Sequence, residues 1–118
     1  MGDLSKNFNK KEFACKCCGV SKASKKLVDG LQELRDLVDM PITIVSGYRC
    51  KKHNINVGGA TNSQHVLGNA ADIKIEGMAI DEIIDAVEKI NVFKNGGIGR
   101  YRSWVHVDVR SGAARWNG

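Results

Sequence analysis

Of the three histidines in this chain, two stand where chemistry would need them. His65 lies in "SQHVLGNAADI", seven positions before Asp72, with Gly68 and a pair of alanines between. His106 lies much later, in "WVHVDVR". Two imidazoles and a carboxylate suit a catalytic zinc ion, because three protein ligands hold the metal and leave a fourth position for water. Zinc bound in this way brings the pKa of that water toward neutrality and polarises a neighbouring carbonyl. The small residues of "GNAA" let the loop fold back, so that His65 and Asp72 reach one ion. Each residue alone also has an ordinary reading, as a surface histidine or as a capping acid at a turn. The combination carries the signal.

The element that must position His106 is the most periodic segment of the chain. Val105, Val107 and Val109 point one way along a strand, while Trp104, His106, Asp108 and Arg110 point the other. The valine face belongs in a core. The opposite face aligns a histidine, an acid and an arginine, which are costly to bury without partners. Such a strand floors a polar cleft or lies at an open edge, and the aromatic on the same face favours the cleft. Asp108 then projects beside His106, either as a general base or ligand-orienting group, or as one half of a salt bridge to Arg110 or Arg49.

The remaining elements follow from periodicity and punctuation. "KLVDGLQELRDLVDM" carries Leu27, Val28, Leu31, Leu34, Leu37 and Val38 at helical spacing, and Pro41 stops it. "ITIVSGY" predicts a strand from Ile42 toward Tyr48. The Gly-, Asn-, Ser- and Lys-rich run from Arg49 to Asn69 predicts a long ordered loop, of the kind that carries function. "AADIKIEG" predicts a second strand. "AIDEIIDAVEKI" predicts a second helix, burying Ile80, Ile83, Ile84, Val87 and Ile90, with Asp81 and Glu82 suited to its N-terminal dipole. "NGGIG" predicts a turn, and "WVHVDVR" the last strand. Without regular βαβ alternation, the fold class expected is α+β. It comprises a small antiparallel sheet with two main helices on one face and the zinc site on the other, as one domain over residues 1–118.

Composition sets the outer bounds. At 118 residues the chain can bury a real core. Its 42% apolar and 26% charged content is that of an ordinary globular protein. The formal charge of +5 suits an anionic partner, but basic residues are scattered and aromatics are only 6%, so a dedicated nucleic-acid face is not indicated. No run approaches the ~20 apolar residues of a membrane span. The opening "MGDLSKNFNKKEF" has no hydrophobic signal core, so a chain made and kept in the cytoplasm is expected. Three of the four cysteines crowd into "CKCCG" (Cys15, Cys17, Cys18), and the fourth is Cys50. Only half of a paired Cys-x-x-Cys metal motif is visible. A disulfide to Cys50 in an oxidising setting and free, partly buried thiols both remain open.

"SQHVLGNAADI" followed by "WVHVDVR" resembles the zinc D-Ala-D-Ala carboxypeptidase family. That group also takes in phage L-alanyl-D-glutamate endopeptidases and the related zinc fold of hedgehog signalling domains. "SGYRCKKHN" is similar to the family's Ser-Gly-x-Arg segment, and "EFACKCCG" to the opening of its small stand-alone members. The resemblance runs over about residues 7 to 111 and implies His65, Asp72 and His106 as zinc ligands. It implies Arg49 as the arginine that contacts a substrate carboxylate or carbonyl oxygen, a task suited to a planar guanidinium fork. The alternative for Arg49 is a structural tie between loop and sheet. The chain departs from the pattern at Ser103, where many members carry the acid that acts as general base three residues before the last histidine. Asp108 provisionally takes that role, with Tyr101 as a weaker candidate for donation to the oxyanion. Ser63 and Gln64 are expected to bond within the loop or to substrate. His53 is expected to order its loop or to lie at its surface, and Trp104 is either a lid over the core or a substrate platform.

The function expected is zinc-dependent hydrolysis of the peptide part of bacterial peptidoglycan by a monomer without nucleic-acid or membrane partners. The resemblance admits a phage-type lysis protein that reaches the wall after separate release. It also admits an alternative of a different class: a non-catalytic zinc module that binds wall peptide or a protein partner, for which Ser103 speaks. A nucleic-acid binder rests on charge alone.

Overall fold

The structure, a computed structural model, describes residues 3–59 and 63–118. Helix α1 (Lys25–Val38) starts at Ser24, whose hydroxyl accepts from Leu27 N, and ends at Asp39 in the left-handed region at φ 52°. It buries Leu27, Leu31 and Leu34 completely, whereas Leu37, placed on the apolar stripe by spacing alone, is half exposed. Strand β1 (Thr43–Ser46) follows Pro41. The run read as one long loop holds a short helix, α2 (Lys51–Asn56), capped by Cys50; residues 60–62 of that run lie outside the described residues. Its polar sequence hides the helix because only Asn54 on it is buried, which leaves no apolar stripe to detect.

Strand β2 (Ala70–Lys74) is followed by helix α3 (Ile80–Val87) and the single-turn helix α4 (Asn91–Lys94). Glu82 closes the start of α3 by accepting from Ala79 N at 2.9 Å. Ile83, Val87 and Ile90 are buried as expected, and Ile80 and Ile84 partly so. Phe93 of α4 is fully buried beneath α1, where Gly30 lets the two helices close: a Cβ there would collide with Val92 and Phe93.

The five strands run in the order β1-β2-β4-β3-β5, with β3 at Gly97–Arg100, β4 at Val105–Asp108 and β5 at Ala114–Asn117. All neighbours are antiparallel except β3 and β5, which are parallel. The sheet is therefore mixed rather than purely antiparallel, and "WVHVDVR" is not the last strand. "GGIG" also proves to be part of a strand rather than a turn. Its glycines answer to close approach, because a Cβ at Gly97 would meet the Asp108 carboxylate and one at Gly99 the Trp116 indole.

The alternation read in β4 holds. Val105, Val107 and Val109 join Ile73, Leu27, Leu31, Leu34, Ile83, Val87 and Phe93 in one core. Asp72 and His106 are directly opposed across β2 and β4, as are Ala70 and Asp108. The side chains that do chemistry thus lie on the sheet face away from the valines.

Candidate metal centre

The β2–β4 register makes Asp72 and His106 cross-strand partners, and the approach of His65 completes the group. The turn before β2 is closed by Val66 N and Leu67 N bonding back to the carbonyls of Ser63 and Gln64. It then reverses at Gly68, which adopts φ 75° against Lys22. His65 is held twice to the end of β1. Its Nδ1 donates to Gly47 O at 2.7 Å, and its own carbonyl accepts from Arg49 N at 3.2 Å. The Ser63 hydroxyl accepts from His65 N at 3.2 Å, so that serine bonds within the loop.

Three ligand-type atoms, one each from His65, Asp72 and His106, lie within 4.8 Å of one another, and all three residues are buried. Both imidazoles aim at the same oxygen. His65 Nε2 is 3.3 Å and His106 Nδ1 3.0 Å from Asp72 Oδ1. The other nitrogen of each ring is already engaged. His65 Nδ1 faces a carbonyl, and His106 Nε2 faces Asp108 Oδ2 at 2.8 Å. In the neutral form that binds metal, each ring would carry its proton on the outer nitrogen and turn a lone pair toward the carboxylate oxygen. Three acceptors converging on one point need a cation between them. The donor set fits a first-row divalent ion with one position open, such as zinc.

The electrostatics agree. Burial pushes the Asp72 carboxyl up, but hydrogen bonds from His106 and His65 outweigh it and hold the group below the usual carboxylate range. Burial pushes His106 down, but the bonds to Asp108 and Asp72 prevail, so its pKa is raised and a proton stands where a metal would. Asp108 is likewise pushed up by burial and then held low by His106 and Arg110.

Asp108 has no exposed surface, and its carboxylate is saturated. It accepts from Gly97 N at 2.9 Å, from Arg110 Nη2 at 2.7 Å and Arg110 Nε at 2.9 Å, and from His106. The salt bridge to Arg110 is present, and Arg110 in turn lies 5.0 Å over the Trp116 ring. Arg49 reaches Asp72 Oδ2 at 3.4 Å, Ser46 Oγ at 3.3 Å and Asn54 Oδ1 at 3.4 Å, so it braces the oxygen that the histidines leave free.

A cleft of about 540 Å³ opens over this centre, lined by Arg49, Ser63, Gln64, Tyr101, Trp104, Arg110 and Trp116 besides the three candidate ligands. Tyr101 stacks on Trp104 at 5.1 Å, and its hydroxyl accepts from Trp116 Nε1 at 3.0 Å. Trp104 Nε1 is buried with no hydrogen-bond partner among the described residues. Ser103 is exposed and borders a different hollow, with Thr43 and Lys74. His53 sits half-buried on α2, outside the converging group. Sequence reasoning missed Trp116, whose ring lies 5.0 Å from that of His106. Its only trace was a short "ARWN" run. The Gly47 carbonyl that orients His65 left no trace at all.

A family profile described as Peptidase M15 matches residues 6–108, and the chain belongs to that family. The zinc D-Ala-D-Ala carboxypeptidase of Streptomyces albus G is 50% identical over 44 residues, covering 36% of this chain and 17% of that protein. The peptidoglycan L,D-endopeptidase MepK of Escherichia coli K12 is 35% identical over 92 residues, covering 70% of this chain and 49% of that protein. The probable counterpart from Haemophilus influenzae is 33% identical over 83 residues, 65% of this chain and 43% of its own. The chain thus spans less than half the length of these relatives.

Proposed function

We infer that this chain is a zinc peptidase that hydrolyses the peptide part of bacterial peptidoglycan. The observation that carries the reading is the convergence of His65 Nε2, His106 Nδ1 and Asp72 Oδ1, with the outer nitrogen of each ring fixed by Gly47 O or Asp108. The names of the matched relatives supply the substrate class. Zinc held there would polarise a scissile carbonyl and acidify a water beside it.

The chain's own side chains then divide the work. Arg49 faces the cleft with its guanidinium partly braced, so it presents a planar fork to a substrate carboxylate or carbonyl oxygen. Tyr101 and Gln64 line the same cleft and donate to the peptide. Asp108 acts as a positioning residue: it fixes the His106 proton on Nε2 and keeps Nδ1 free. Its burial and its full set of donors argue against the role of general base, for which it stood as the provisional candidate. The zinc site occupies the sheet face opposite the two main helices of a single domain. The protein works as a monomer on the wall, without nucleic-acid or membrane partners, and its positive charge favours dwelling on an anionic polymer. No helix among the described residues is long and apolar enough to cross a membrane.

Mass spectrometry of soluble fragments from purified peptidoglycan, treated with zinc-loaded and chelated protein, tests this reading. A zinc-dependent new terminus is expected, and its mass names the bond. A zinc-bound protein that releases nothing would favour a non-catalytic module that binds wall peptide. One observation favours that second reading: both acids at the centre, Asp72 and Asp108, are already engaged, and Ser103 stands outside the cleft.

A further inference from the structure

A second group of metal-type donors lies outside the cleft. One sulfur each from Cys15, Cys18 and Cys50 falls within 4.8 Å of the other two. Cys50 thus meets two cysteines from which it is remote in sequence. The fourth cysteine, Cys17, is exposed in the same turn, one residue before Cys18.

The backbone is shaped for it. The run Cys15–Gly19 is a tight turn in which Gly19, at φ 74°, donates to Cys15 O at 2.8 Å, and Cys15 N donates to Val20 O at 2.7 Å. Such a Cys-x-x-Cys-Gly turn sets the Cys15 and Cys18 sulfurs on one side. Backbone amides also point at sulfur. Cys50 N donates to Cys15 Sγ and His53 N to Cys50 Sγ, both at 3.4 Å. Amide bonds to sulfur favour the thiolate, the form that binds metal. Lys52 stands close enough to act on Cys17 and would offset part of the charge of several thiolates.

We propose that Cys15, Cys18 and Cys50 form a structural site for a thiolate-bound divalent cation, with zinc as the natural occupant, and that the exposed Cys17 of the same turn swings in to complete the tetrahedron. Sulfurs on one tetrahedral zinc stand about 3.8 Å apart at a Zn–S distance of ~2.3 Å, so the observed cluster needs only a small contraction. A disulfide would use one pair and leave the third converging thiol unexplained. Each thiol that becomes a ligand releases its proton to solvent, and nothing is oxidised. This site is independent of the proposed activity, but it bears on the cleft. Cys50 directly follows Arg49, and Tyr48 N donates to Phe13 O at 2.9 Å, two residues before Cys15. The cation would clamp the amino-terminal turn to the segment that carries Arg49 and the Gly47 carbonyl.

The test is metal stoichiometry and absorption of the whole chain, purified under reductant and loaded with zinc or cobalt(II). Native mass spectrometry should find two equivalents. The cobalt protein should show thiolate-to-metal charge transfer in the near ultraviolet, which a site of imidazole and carboxylate cannot give. Cys18→Ser, at an exposed position, should lose one equivalent and most of that band, whereas His65→Ala should lose the other equivalent and keep the band. A reduced wild-type chain that takes one equivalent and shows no band overturns the proposal, whether or not the cysteine variant folds. A chain isolated lighter by the hydrogens that disulfides remove, and unable to take the second equivalent after reduction, also overturns it.

Discussion

Replacing Asp108 by Asn separates two roles that the sequence alone leaves equal. The change keeps the volume but removes the charge on a fully buried carboxylate that receives Gly97 N, Arg110 and His106 Nε2. An asparagine can satisfy only part of this set. If its oxygen faces His106, its amide confronts Arg110 and Gly97 N, which are donors too. If its amide faces His106, the ring must carry its proton on Nδ1, which puts hydrogen where the metal lone pair belongs. Loss of charge-assisted bonds of this kind costs about 1.5–3 kcal/mol. The Arg110 side chain is about one-third exposed, so its share is discounted and the lower part of that range is expected. Zinc affinity should fall ~10–100-fold, the usual effect of removing a partner that orients a ligand, equivalent to about 1.4–2.8 kcal/mol. Chelator competition measures the affinity, and urea unfolding of the chelated protein measures the stability. Affinity within about threefold of wild type would refute the positioning role. If turnover were then lost at full zinc occupancy, Asp108 would be the general base after all.

Four further outcomes are expected. Arg49→Lys retains the charge but not the fork, so turnover on wall peptide should fall at least ~10-fold with zinc still bound, read from fragment release and native mass. Gly97→Ala drives a methyl group into the Asp108 carboxylate and should cost about 1–3 kcal/mol in urea unfolding while weakening zinc binding in parallel. Leu31→Ala in the fully buried core should cost about 2–5 kcal/mol and leave the metal affinity of the folded fraction unchanged. The chelated and zinc-loaded proteins should respond oppositely to pH. The His106 pKa is raised in the folded chelated protein, so its contribution is complete below the unfolded value of about 6.5 and is lost as pH rises through the folded value. Chelated protein should therefore gain stability on acidification toward about pH 6.5, whereas the increment from zinc shrinks as protons compete for the same nitrogen, and thermal melts at stepped pH read both. The depressed Asp72 and Asp108 contribute above the unfolded carboxyl value and lose that contribution only as pH falls through their low folded values.

Several features were legible from local pattern alone. Period-two alternation placed Val105, Val107 and Val109 in the core and His106 and Asp108 on the other face, because strand geometry lets nothing else happen once one face is buried. Helices α1 and α3 followed from 3.6-residue spacing and their stops. What escaped was set by contacts distant in sequence. "GGIG" looks like a turn because glycine is the residue of turns, and only the packing of Asp108 and Trp116 against that backbone shows why a strand needs it there. Helix α2 has no apolar stripe, since its buried residue is an asparagine that receives Arg49. The parallel pairing of β5 with β3 left no local mark at all.

The sequence by itself determined the chemical types of the site: two imidazoles, a carboxylate and a guanidinium, at spacings that let them meet. Tertiary structure alone decided which atoms face inward. His65 presents Nε2 because Gly47 O takes its other nitrogen, and His106 presents Nδ1 because Asp108 takes Nε2. It also decided that three cysteines, split between an amino-terminal turn and the start of α2, become neighbours. The reason is the same in both cases. A residue's type fixes which bonds it can make, but hydrogen-bond direction and thiol proximity depend on partners that chain order does not specify.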